Sequence, residues 1–323
     1  MLYPIKFHPI LKEKIWGGGK LKTILNKPTE TENVGESWEI STVGDDISIV
    51  CNGEFTGKTL NDLIKEYKDK LLGKKVYKEF GNQFPLLIKF IDAKEDLSVQ
   101  LHPDDELAKK RHNSFGKTEM WYVVQADPEA KLIVGFNKDT TKEEYEDFLE
   151  KGEITKLLNF ESISKGDSYF IKAGRIHAIG GGSLIAEIQQ TSDITYRVYD
   201  WDRKDSEGNE RELHTDLALD ALDYNADKTF KLKYSKDKNK INNLISGTYF
   251  TTSVIEIENS FERNYKDLDS FKILMCVEGS GTINTQEYSL PVSFGETVLI
   301  PAAIENVFIE STSQGIKLLE VYI

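Results

Sequence analysis

The sequence predicts a mainly β protein in which small antiparallel barrels carry a few covering helices. Three observations lead there. Short apolar runs alternate with turn residues along most of the 323 residues. Aromatic content is 11%, with 14 Tyr and 16 Phe, which suits strands. Finally, the apolar run from Ile171 ends at Ala173-Gly174, turns to deliver His177, and returns through Leu184 to Ile188 as a strand. That is how a small barrel presents an imidazole to its interior.

Length permits a large core and two domains. The Lys, Asp and Asn-rich stretch 225–245 marks the boundary, giving 1–235 with the metal-binding chemistry and 236–323 as a second barrel-like unit. Against 41 Lys+Arg stand 54 Asp+Glu, a formal charge of -13, which argues against nucleic acid as the main partner. Local basic pockets for an anionic metabolite are still compatible with that total. Cys51 and Cys276 are too few and too distant for a disulfide framework. Met1 to Lys6 lacks the apolar core of a signal peptide, and no run approaches a membrane span, so a cytoplasmic protein with no membrane partner is expected. Nothing in the sequence calls for an obligate protein partner.

Taking the chain in order, Trp16-Gly-Gly-Gly19 lacks the lysine placement and the following helix of a phosphate loop. Glu36 to Ile40 and Ile47 to Val50 read as strands, the first with Ser37 and Glu39 on one side. Thr59 caps a helix to Leu72, with Asp62 three residues on and an apolar stripe of Leu60, Leu63, Ile64, Tyr67 and Leu71. Phe84 to Ile91 is an apolar strand with Lys89 conspicuous inside it; that lysine either reaches an anion or lies on a solvent-facing side.

Leu97 to His102 follows as a strand whose alternation sends Ser98, Gln100 and His102 to one face. Asp104 to His112 contains a short helical piece leading to a loop in which His112 is solvated. Lys117 and Glu119 repeat the i, i+2 spacing as the chain enters Trp121 to Val124, and Lys131 to Phe136 is another strand. Thr141 to Glu144 reads as a capping box, Ile154 to Phe160 as a helical turn, and Ile194 to Trp201 as an aromatic strand. Arg203 to Arg211 reads as a charged hairpin or loop, and Thr215 as the cap of a short helix. Thereafter come Thr251 to Ile257, Phe271 to Val277, Gly281 to Ile283, Glu296 to Ile300, Val307 to Ile309 and Lys317 to Ile323, at barrel-like spacing and without a histidine.

His102, Glu119 and His177 together make a His2Glu set suited to a divalent metal with open positions. Bland alternatives exist for each: a strand-ending histidine before Pro103, a solvated glutamate, a hydrogen-bonded loop histidine.

Four strings then carry a resemblance: Gln100-Leu-His-Pro-Asp104, Gly116-Lys-Thr-Glu119, Ala173-Gly-Arg-Ile-His-Ala178 and Gln190-Thr-Ser-Asp-Ile-Thr-Tyr-Arg-Val-Tyr199. In this order they closely resemble the short bacterial form of type I mannose-6-phosphate isomerase, over nearly the whole chain. The resemblance implies two cupin-type, jelly-roll-like β-barrels, one Zn2+ per chain in the first, and Gln100, His102, Glu119 and His177 as its ligands. It further implies a phosphorylated hexose substrate and isomerisation between D-mannose 6-phosphate and D-fructose 6-phosphate through a cis-enediol. Arg197 matches the family's active-site arginine; its structural alternative is a salt bridge to Asp193 or Asp200. Glu187, in an otherwise apolar strand, is the expected base, with transfer through water or a ligating side chain as the alternative. Lys89, Ser98 and Lys117 are the expected phosphate contacts. Competing functions are another cupin-type sugar isomerase, an iron-dependent dioxygenase, and a noncatalytic sugar-phosphate-binding protein.

Overall fold

The computed structural model describes residues 1–204, 207–227 and 229–323. Two residues of the expected 203–211 hairpin and one of the 225–245 boundary therefore lie outside the described residues. What is described of the hairpin closes through a bridge between Lys204 and Glu210. No helix among the described residues is long and apolar enough to cross a membrane.

The protein is mainly β, and three antiparallel sheets carry it. The first runs, in spatial order, Ile10–Gly18, Val34–Ile40, Leu86–Ala93, Ser183–Gln190, Glu119–Ala126 and Ser168–Ile171. The second runs Tyr196–Tyr199, Val99–Leu101, His177–Ile179, Lys131–Phe136 and Leu158–Ser162. These two face each other across an apolar layer that includes Ile91, Val123 and Ile185 from one and Leu132, Val134 and Ile179 from the other.

Strand alternation explains why the first sheet is buried on both faces. Leu86, Ile88 and Phe90, with Met120, Tyr122 and Val124 and with Leu184, Ala186 and Ile188, all point to the outer core. There they meet the helix residues Leu60, Leu63 and Ile64 and the C-terminal residues Ile273, Met275, Leu319 and Val321. Residues of the opposite parity, Lys89, Glu187 and Glu119 among them, necessarily point to the second sheet. The back of the second sheet, with Val99, Leu101, Tyr196 and Val198, is covered by Tyr145, Ile154, Leu157 and Ala218 from the flanking helical turns.

Seven strands between Ile241 and Tyr322 form the third sheet, and two of them dominate it. Phe271 to Val277 and Gly281 to Ile283, expected as separate strands, belong to one strand, Lys272–Asn284; Val307 to Ile309 and Lys317 to Ile323 belong to one other, Asn306–Tyr322. They pair with each other across two register shifts, and Gly279, at φ +72°, passes so close to Gly315 that an added Cβ would stand 2.1 Å from its carbonyl oxygen. This unit is not joined by a free linker. Leu232 N–H donates to Ser168 O, Ile5 bridges to Leu299, and the Lys27 ammonium donates to Gly295 O.

Several local expectations are corrected. The helix opened by Thr59 has its full capping box with Asp62 but stops at Tyr67; Lys68, at φ 49°, breaks it before a separate turn, Asp69–Leu72. At Thr141 only half the box forms, because Glu144 turns its carboxylate to Lys138 and Thr140. Ile154–Leu157 is a 3-10 turn and the chain then becomes the strand Leu158–Ser162, where Asn137 and Ile133 offer backbone partners. His214, not Thr215, stands at the cap position of Thr215–Leu219, and its Nδ1 accepts from Arg197 N–H. His112 ends a helix and contacts the Tyr196 hydroxyl at 2.7 Å. A four-residue helix, Lys20–Thr23, does follow Trp16-Gly-Gly-Gly19, and Lys20 N–H donates to Asp92. Gly17 is required there: a Cβ would lie 2.4 Å from Asn33 O.

In the third sheet, Glu320 is buried between Arg263, which binds it through Nε and Nη2 at 2.7 Å each, and the Tyr265 hydroxyl at 2.6 Å. Beside them Lys272 is fully buried, donating to Pro301 O and Ile304 O, and burial pulls its amine down to about 8 despite the attraction of Glu320 and Glu305. Its unfolded value is the ordinary 10.5, so between the two values the folded chain binds fewer protons and stability linked to this group rises with pH. Unfolding by urea at pH 7 and pH 10 should show wild type gaining on Lys272→Met across that interval; a constant difference between the two proteins would refute the burial cost.

Candidate active site

Register builds the site as two facing rows of side chains. On the second sheet, Arg197 pairs with Gln100 and Gln100 with His177. On the first, Trp38 pairs with Lys89, Lys89 with Glu187, and Glu187 with Trp121. Between the rows lies a cavity of about 270 Å³ lined by both, and by Ser98 and Lys117.

His177 lines this cavity, and His102 and Glu119 gather around it: the ligand atoms of the three all lie within 4.8 Å of one another and all three residues are buried. His102 comes from the end of the Val99–Leu101 strand, Glu119 from the start of its own strand, and His177 from the turn after Gly174. Each imidazole is oriented by a backbone carbonyl, Nδ1 of His102 on Ile194 O at 2.7 Å and Nδ1 of His177 on Arg175 O at 2.8 Å. A carbonyl only accepts, so Nδ1 carries the proton and each Nε2 presents a lone pair to the cluster. Burial, reinforced at His102 by the Lys117 charge, pulls His102 down to about 3 and His177 below its usual value, so both rings are neutral.

His102 Nε2 lies 3.1 Å from Glu119 Oε1, and His177 Nε2 3.8 Å from Glu119 Oε2. Yet His102 Nε2 and both Glu119 oxygens lack a hydrogen-bond partner, because the atoms converge on a common point rather than aligning on one another. Buried acceptors so arranged, two neutral nitrogens and one carboxylate, are the donor set of a divalent cation. Gln100 stands beside them, its amide nitrogen 3.5 Å from His177 Nε2.

The carboxylates are held differently. Burial opposes the charge on Glu119, but the Lys117 ammonium, 3.0 Å from Oε1, together with His102 and His177 outweighs it and the group stays well below its usual range. Glu187 is pushed up by burial and by the charge of Glu119, partly offset by Lys89 at 3.1 Å and by the Trp121 indole, which donates at 2.9 Å. The two carboxylates are thus set apart, Glu119 held as an anion and Glu187 raised in proton affinity. Lys89 lies over the Trp38 ring, 5.2 Å from its centroid, and is fully buried. Each of the two lysines is accordingly shared with a glutamate.

Among the described residues Arg197 has no carboxylate partner: its Nε donates to Ser98 Oγ at 3.2 Å and its Nη1 to Glu212 O at 2.8 Å. The salt bridge to Asp193 or Asp200 does not form, since Asp200 is taken by Arg211.

Sequence reasoning missed Lys14, Glu36, Trp38, Thr195 and Arg211, all of which line the cavity. Ser37 and Glu39 do share a side, hydrogen-bonded at 2.6 Å, but it is the other parity, Glu36 and Trp38, that faces the site. The signal available was an acid and an indole at i, i+2. Trp16 lines the entrance as well.

Comparison with known proteins is consistent with this geometry. Residues 5–166 match the model of phosphomannose isomerase type I, catalytic domain, and residues 240–319 that of the mannose-6-phosphate isomerase cupin domain. Mannose-6-phosphate isomerase ManA of Bacillus subtilis is 34% identical over 97% of this chain and 98% of its own length. The mannose-6-phosphate isomerase of Streptococcus mutans is 33% identical over 95% of each. A crystal structure of the mannose 6-phosphate isomerase from Bacillus subtilis superposes with a TM-score of 0.90, at 34% identity, over 100% of both chains. By sequence over nearly its full length and by fold, this chain belongs to the type I mannose-6-phosphate isomerase family.

Proposed function

We propose that the cavity between the two sheets interconverts D-mannose 6-phosphate and D-fructose 6-phosphate by proton transfer through a cis-enediol. The observation that carries this reading is the convergence of His102, Glu119 and His177 beside a cavity lined by His177, by the carboxylate of Glu187 and by the guanidinium of Arg197, which has no carboxylate partner among the described residues. Aldose and ketose differ by the position of hydrogens, with no net redox, so the chemistry asks for an acid-base group and for charge stabilisation.

In this reading His102, Glu119 and His177 hold a Zn2+ ion, with Gln100 as a fourth ligand once its amide turns its oxygen to the cluster. When bound, the ion supplies Lewis-acid stabilisation of negative charge developing on adjacent sugar oxygens. Glu187 takes the proton from C2 and returns it at C1. Lys89 and the Trp121 indole aim its two oxygens, and the raised proton affinity makes it a better base than an exposed carboxylate. Arg197, permanently protonated, holds enediolate oxygens and cannot itself be the base. Ser98 and the ammonium groups of Lys89 and Lys117 form the polar wall to which the phosphorylated substrate is drawn, although sharing with Glu187 and Glu119 limits what the lysines offer a phosphate.

We also read residues 1–235 and 236–323 as two cupin barrels, a reading supported by separate sheets and a separate C-terminal core of Ile255, Leu274, Cys276, Val298 and Leu318. A cytoplasmic location is in keeping with two free cysteines.

Elemental analysis tests the metal cage: His102→Ala and His177→Ala should each fall well below one zinc per chain. Arg197→Ala should keep its zinc while kcat falls about a hundredfold to a thousandfold. Full activity in these variants would refute the assignment. Glu187→Gln should keep zinc and lose about a hundredfold or more in kcat. Because Glu187 must be ionised to act and its proton affinity is raised, the acid limb of wild-type kcat should lie above the ordinary carboxyl value of 4.5; an acid limb at or below it would count against Glu187.

A further inference from the structure

We propose that Arg211 is the residue that binds the substrate's phosphate group and so selects phosphorylated hexoses; the inference rests on the isomerase reading above. Its first support is chain length. If the reacting carbons lie at Glu187, then Lys89, at 3.1 Å from that carboxylate, and Lys117, at 3.0 Å from Glu119, both sit at the reacting end. The phosphate is carried on C6, four carbon–carbon bonds from C2, or on the order of 5 Å with bonds of about 1.5 Å. A contact beyond these two lysines is therefore needed, and Arg211 is among the residues that line the cavity.

Charge accounting points the same way. Within the cavity, Lys89 is matched by Glu187, Lys117 by Glu119, and Lys14 by Glu36 at 3.5 Å. Of the two arginines, Arg211 holds Asp200, while Arg197 touches no carboxylate among the described residues, although Asp193 lines the same cavity and the charge of Glu212 reaches Arg197. Arg211 lies close enough to oppose the charge on Arg197, second only to burial in doing so. Two like charges facing one cavity are relieved by an anion.

Arg211 is also aimed. Its Nε and Nη2 bind buried Asp200 at 2.7 and 2.5 Å, which fixes the guanidinium plane and leaves Nη1 with two N–H donors that meet no acceptor among the described residues. Three residues on, His214 N–H donates to Arg197 O, and Glu212 O receives Arg197 Nη1, so the 211–214 segment is pinned to the strand that carries Arg197. A phosphate dianion with several acceptor oxygens suits such an exposed fork edge. Asp200 is a positioning residue in this arrangement.

The test compares wild type with Arg211→Gln and with Asp200→Asn/Arg211→Gln, the double variant removing the carboxylate that the single one would leave buried and unpaired. Steady-state isomerisation of mannose 6-phosphate, competitive inhibition by inorganic phosphate, and titration calorimetry with inorganic phosphate are measured on zinc-loaded protein. Loss of a charge-assisted contact should raise KM and the phosphate inhibition constant together by about tenfold or more, with kcat changed less than about threefold. If wild type isomerises and both variants keep its KM and phosphate affinity, the assignment of Arg211 is wrong and the isomerase reading stands. A fall in kcat alone would likewise overturn it, reducing Arg211 to a structural role. If wild type binds phosphate and the variants do not, while none of the proteins isomerises, the anion site stands and the isomerase reading falls.

Discussion

The buried carboxylate of Glu119 is the constraint around which the inner half of the molecule is arranged. A carboxylate removed from water is costly unless charge and hydrogen bonding are supplied to it. Lys117, two residues earlier and of the same strand parity, supplies the charge. The two imidazoles beside it are kept neutral by burial and turned by carbonyls of Ile194 and Arg175, so they add lone pairs rather than protons. What results is a cluster with acceptors in excess of donors, which a divalent cation completes. The same charge reaches Glu187 and raises its proton affinity, so the His102, Glu119 and His177 cluster and the Glu187 carboxylate are coupled through one anion.

Position follows from register. Gln100, Lys89 and Glu187 each stand on a strand whose alternate residues are core: Val99 and Leu101 around Gln100, Ile88 and Phe90 around Lys89, Ala186 and Ile188 around Glu187. A slip of one residue would bury the functional side chains in the wrong core and expose the apolar ones to the cavity. The apolar packing that stabilises the sheets is therefore also what holds the ligands within reach. The C-terminal unit contributes by closing the outer face of the first sheet, with Ile273, Met275, Leu319 and Val321 in the same core as Leu86 and Ile88. Its own interior carries the Arg263, Glu320, Tyr265 and Lys272 network and no histidine.

Much of this was legible in the sequence, and the reasons are specific. Period-two alternation over residues 97 to 102 named the face that carries Ser98, Gln100 and His102, and the repeated spacing at Lys117 and Glu119 named a second one. Helix starts were legible where the cap is local, as at Thr59. Where an end depends on contacts made elsewhere, it was not: Leu158–Ser162 is a strand because Lys131–Phe136 lies beside it, and Glu144 leaves its box for Lys138. The long bent strands of the C-terminal unit were split in reading because their glycines look like turns, yet Gly279 and Gly315 mark a close crossing of backbones. Glu36, Trp38 and Arg211 went unnoticed because what makes them line the cavity is the packing of distant segments, which sequence spacing does not contain. The structural alternative for Arg197, a salt bridge to Asp193 or Asp200, does not form: Asp200 is near in sequence, but Arg211 returns to claim it.

The central claim is that one cavity holds a single divalent ion and isomerises a phosphorylated hexose there. The most direct measurement is conversion of mannose 6-phosphate to fructose 6-phosphate by purified protein before chelation, after chelation, and after restoring one equivalent of zinc. The account predicts activity, its loss with the metal, and its return with zinc. Undiminished turnover by metal-free protein would contradict it.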